Sequence, residues 1–184
     1  MKLFKKLAAA ALAAVLALSM VGCGAGSKGS TSTASELANM LVDSLDQMQI
    51  DAKHTGEMDN LAAALATSAG NVENAKEKEI KTLLVNDKVL EAAGFTADDL
   101  KNTAYIVSYA ENYNLRSPST AEEQKTQWMA GQVLNNRQKV GKSANLQNVK
   151  ALELGAGTVK IGDTEYIVVV AKAVETATPG TGKD

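Results

Sequence analysis

The four consecutive residues Ile167-Val168-Val169-Val170 constrain this chain most. A strand with one face in water alternates apolar and polar residues, whereas a strand covered on both faces reads as an unbroken apolar run. The run predicts a central strand over Glu165 to Ala173, which needs neighbours. Thr158 to Ile161 supplies one, joined through Gly162-Asp163 as a tight hairpin. Val149 to Leu154 supplies another, with Gly155-Ala156-Gly157 read as a turn between strands.

The preceding sequence is mostly helical in pattern. Leu37, Met40, Leu41, Leu45 and Met48 recur at three- and four-residue spacing, predicting a helix capped by Ser35 or Thr33 and running to about Ile50. Asp51 to Gly56 breaks it. Met58 to Ser68 reads as an Ala-rich helix ended by Gly70. Asn71 then opens a Glu- and Lys-rich helix with Ala75, Ile80, Leu83 and Leu84 inward, pausing near Asn86-Asp87 before Val89 to Ala93 and a stop at Gly94. Thr96-Ala97-Asp98-Asp99 resembles a helix start, its acids complementing the amino-terminal dipole. Ala104 to Tyr109 is rich in β-branched and aromatic residues and reads as a strand. The alternative is a continued helix with Ile106, Tyr109, Ala110 and Tyr113 on one stripe. Ser119 and Glu122 match a capping box after Pro118, predicting a helix to about Lys139 that Gly141 terminates. The fold class expected is α+β: a helical amino-terminal half packed on a small, mostly antiparallel sheet from a carboxy-terminal β-α-β-β unit.

Chemistry is sparse in this sequence. One cysteine, Cys23, and one histidine, His54, cannot supply the three or four soft or imidazole ligands of a zinc site. A Ser-His-Asp triad would need His54 as base with Asp51, Glu57 or Asp59 to orient it, yet no Gly-x-Ser-x-Gly presents a nucleophile. His54 is expected to be a solvated loop residue. The carboxylate pairs Asp98-Asp99 and Glu122-Glu123 sit where helix first turns favour acids, so a glycosidase-like acid and base is not required to explain them. Phosphate-binding glycine loops and calcium-loop spacing are absent. No catalytic residue, cofactor or metal is expected. Two features suggest a binding surface instead. Trp128 lies off the stripe formed by Met129, Ala130, Val133 and Leu134. Tyr105, Tyr109 and Tyr113 form an aromatic row on a helix, and the first two share a face on a strand; core packing competes with ligand contact for both features.

The amino terminus carries the clearest address. Lys2, Lys5 and Lys6 precede Leu7 to Leu18, an apolar run of 12 residues, and Ser19-Met20-Val21-Gly22-Cys23 closes it. A membrane span needs about 20 apolar residues, so the run has the length of a signal h-region. The segment resembles a bacterial lipoprotein signal with its lipobox, although Met20 stands where that family prefers Leu. The resemblance implies cleavage after Gly22, a diacylglycerol on the Cys23 thiol, and attachment to the extracytoplasmic face of the cell membrane. Cleavage would remove three lysines and no acid, leaving 16 basic residues (19 less 3) against 21 acidic ones. That balance disfavours nucleic acid. The order from Gly94-Phe95-Thr96-Ala97-Asp98-Asp99-Leu100 to the terminal hairpin is similar to small lipoproteins of unknown function from Gram-positive bacteria, and carries no functional residue across.

The organisation expected is a signal peptide at 1–22, a lipidated tether at 23–35, one domain at 36–174 and a frayed tail at 175–184. The function expected is a non-catalytic, lipid-anchored envelope protein that binds a protein, peptide or wall component. The alternative is a small solute-binding lipoprotein of a transport system, with a wall-active hydrolase behind it.

Overall fold

The computed structural model describes residues 33–142 and 151–174. The signal peptide, Cys23, Val149 and the tail therefore lie outside the described residues. The elements run α1 (Thr33–Gln47), β1 (Asp51–His54), α2 (Gly56–Gly70), a 3-10 turn (Ala75–Glu77), α3 (Ile80–Leu84), α4 (Asp87–Ala92), α5 (Ala97–Asn102), β2 (Ala104–Glu111), α6 (Tyr113–Arg116), α7 (Glu122–Asn135), β3 (Gln138–Gly141), β4 (Ala151–Ile161) and β5 (Thr164–Val174). The class is α+β.

Among the described residues five strands form one mixed sheet in the order β1-β4-β5-β2-β3. Only β1 and β4 pair in parallel among the described residues; the other three pairings are antiparallel. β5 is central, as its apolar run requires. Val168 and Val170 enter one core with Tyr105 and Val107, beneath α2, α3 and α4. Ile167, Val169 and Ala171 enter the other with Ala110, Leu154 and Ala156, beneath α1 and α7. Helices thus cover both faces, and the carboxy-terminal α7 shares one of them with α1.

Several local expectations are corrected. Asp51 to His54 is a strand, because the sheet edge at Ala151–Leu154 offers it a ladder. Gly155-Ala156-Gly157 lies inside the continuous strand β4. A Cβ on Gly155 would stand 2.1 Å from the Asp59 nitrogen, and one on Gly157 would stand 2.4 Å from the Ala63 nitrogen. These glycines let the backbone of α2 touch the strand. The capping box is at Thr96 and Asp99, where each side chain bonds the other's backbone N–H. Ser119 caps nothing: Ser117 and Thr120 form a hydroxyl-bonded turn that delays α7 to Glu122. That helix ends at Asn135, since the Asn136 side chain turns to the Tyr109 carbonyl at 3.1 Å. Gln138 to Gly141 then adds β3 to the sheet. The helix expected from Asn71 is a 3-10 turn and two short helices, split at Asn86 as expected, with Ala75, Ile80, Leu83 and Leu84 buried. Helix α1 already includes Thr33, Ala34 and Ser35 of the expected tether, and Ala34 is buried.

The hairpin expectation holds. Ile161 faces Thr164 across Gly162-Asp163, and Gly162 supplies the positive φ, 62°, that such a turn needs at its first position.

Gly155→Ala and Gly157→Ala should each lower unfolding free energy by about 2–4 kcal/mol, since backbone rather than a flexible side chain obstructs the methyl. Gly131→Ala in α7 meets nothing within 4 Å and should raise stability by about 0.5–1 kcal/mol. Urea unfolding of the three variants checks both signs.

Candidate functional site

The two helices on the α1 face leave a gap over the sheet. It is a cavity of about 180 Å³ lined by Leu41, Leu45 and Ile50 from the α1 side, Val133, Leu134 and Arg137 from the α7 side, and a floor from β2, β4 and β5 that includes Ile106, Leu154 and Val169. The floor follows from strand alternation, which sends Ile106, Ser108 and Ala110 to this face and Tyr105, Val107 and Tyr109 to the other. Ser108 is the polar exception in the floor, and its hydroxyl donates to the Val133 carbonyl, so it offers a ligand no free donor. Arg137 is exposed and makes no ion pair or hydrogen bond among the described residues. The cleft therefore offers an apolar interior and one available guanidinium. A wider hollow of about 680 Å³ on the opposite face, beside α2, α3 and α4, is rimmed by Thr67, Asn71, Thr82 and Asn86; its apolar lining, Leu83 and Val89, already belongs to the core.

His54 departs from expectation. It ends β1, and its side chain is only 18% exposed. Nε2 lies 2.8 Å from Asp59 Oδ1, and Nδ1 lies 2.9 Å from Asn39 Oδ1. With Asp59 ionised, Nε2 donates to it, while Nδ1 pairs with the Asn39 amide in whichever sense that amide is turned. The same Asp59 Oδ1 accepts the Ala156 N–H at 2.9 Å. β1 stops at the level of Leu154, so this carboxylate satisfies the first backbone donor that the parallel ladder leaves unpaired. Both ring nitrogens are engaged, which leaves neither to hold a serine or threonine hydroxyl. The cluster is a clasp: it ties α1 to α2 across the sheet edge. Among the described residues no group of three His, Cys, Asp or Glu side chains is placed to hold a metal ion.

The aromatic residues divide between the faces. Tyr105 is 6% exposed and packs edge-on against Phe95, with centroids 5.1 Å apart, so it is a core residue and not a binding surface. Burial raises its hydroxyl pKa, and the Asp99 and Glu57 charges add to this. Tyr109 is half-buried against Tyr166 at 6.1 Å, and burial raises its pKa too. Tyr113 stands apart from both. It follows the strand on α6 and meets Trp128 at 4.6 Å. Trp128 is 36% exposed. The cleft lay beyond sequence inspection, because five elements supply its lining. Arg137 falls inside the helix expected to run to about Lys139, where a basic residue near the carboxy-terminal end needs no further explanation.

Asp59→Ala should cost about 2–3 kcal/mol by orphaning the Ala156 N–H and releasing His54. Asp59→Asn should cost less, since an amide oxygen still accepts that N–H. Denaturant unfolding ranks the two. Compared with known proteins, the chain matches no family model, no curated protein and no solved structure.

Proposed function

We propose that this chain is a non-catalytic, lipid-anchored protein of the cell envelope that takes an apolar segment of a peptide or protein partner into the cleft between α1 and α7. The cleft carries the reading. Its volume, about 180 Å³, is below the roughly 300 Å³ at which pockets begin to enclose whole drug-sized ligands, and suits one or two aliphatic side chains. Arg137 at its open side suits a carboxylate on the same partner. The anchor is supported by the order of Lys2, Lys5, Lys6, the apolar run and Cys23. No helix among the described residues is long and apolar enough to cross a membrane.

The same apolar lining favours a second reading, capture of a small aliphatic acid for a transporter. A photo-crosslinking residue at Leu134 in the full-length protein on cells separates the two. A discrete protein or peptide adduct, lost on Arg137→Glu, is the expected outcome. No adduct, together with a melting temperature raised by a short-chain fatty acid, would replace the first reading with the second.

Cys23→Ala should leave the protein unprocessed or released from the membrane, as fractionation and intact mass will show. A variant still membrane-bound at the mature mass would refute the anchor.

A further inference from the structure

We propose that the face bearing Tyr113, Leu115, Arg116 and Trp128 lies against the lipid bilayer, which holds the anchored domain in one orientation. The inference rests on the lipid anchor proposed above. Leu115 is 64% exposed and Trp128 36%; with Met48 they are the large exposed apolar side chains among the described residues. Leu115 projects from a four-residue helix whose neighbours already form a cluster. Tyr113 tilts at 54° to the Trp128 ring, and the Arg116 guanidinium lies 5.7 Å from the Trp128 centroid. Trp and Tyr, apolar bodies with polar tips, favour the boundary between headgroups and acyl chains.

The position of the cluster names its occupant. Asn114, between Tyr113 and Leu115, donates to Thr33 Oγ1 at 3.1 Å, so the first described residue of α1 sits beside α6. Ten Cα–Cα steps separate Cys23 from Thr33, and fully extended they reach at most about 35 Å. A patch next to the point where the chain leaves for its anchor meets the bilayer at a high effective concentration. Weak apolar contact is then enough. Charge is not the attraction, because Arg116 pairs with Glu111 at 3.0 Å, so the contact needs no anionic lipid. The cleft is set further along α7, at Val133 and Leu134, six residues or about 9 Å past Trp128. A domain lying on its aromatic face keeps the cleft mouth displaced from the contact.

Trp128 is the sole tryptophan and reports on its own surroundings. The native, full-length product is reconstituted into phosphatidylcholine vesicles, with and without lipid brominated on its acyl chains, and floated on a density gradient. Floating protein whose Trp128 emission is blue-shifted, quenched by bromolipid and shielded from iodide is the expected result. Leu115→Asp should restore iodide quenching while the protein still floats. Floating protein with Trp128 open to iodide overturns this inference alone. Protein that does not float overturns the anchor and this inference with it. Trp128 open to iodide in pure lipid but shielded in native membranes assigns the patch to a protein partner and overturns the lipid contact.

Discussion

The direct seating of α2 on β4 is the constraint from which the rest of the architecture follows. A helix normally stands about 10 Å off a sheet because side chains fill the space. Here Gly155 and Gly157 remove the side chains on the strand, and Ala62, Ala63 and Ala66 shorten them on the helix. Close approach brings Asp59 within reach of a β4 backbone donor, and through it fixes His54. It also explains how a core with few aromatic residues closes: small residues let backbones make the contact that bulky rings make elsewhere.

The edge clasp and the open cleft are complementary. Asn39, His54 and Asp59 join the two helical layers at β1, a four-residue edge strand. Away from that edge, α1 and α7 touch each other over the sheet, and the cavity opens beside Leu41, Leu45, Val133 and Leu134.

Legibility in the sequence followed how local each cause was. The central strand was readable because cover on both faces leaves no polar residue in Ile167 to Val170. The terminal hairpin was readable because its turn needs glycine at a defined place. β1 was not: Asp51-Ala52-Lys53-His54 has one apolar residue, and its strand character comes from a ladder a hundred residues away. Gly155 and Gly157 were read as a turn because glycine signals backbone freedom and close approach alike, and only the Ala-rich helix overhead distinguishes them. His54 was paired with Asp59 as a possibility, but its second partner, Asn39, carries no periodic or motif signal. The cleft had no local signature at all, and Trp128 was legible only as a residue off its helix stripe.

The pairing of β1 with β4, and the central place of β5, also set when the chain can acquire its shape. Among the described residues the strand at the middle of the sheet follows every helix, and α1 to α4 lack a complete floor until it is in place. Contacts of such long sequence separation form slowly, so the two helical layers close on the sheet only once β5 has joined it.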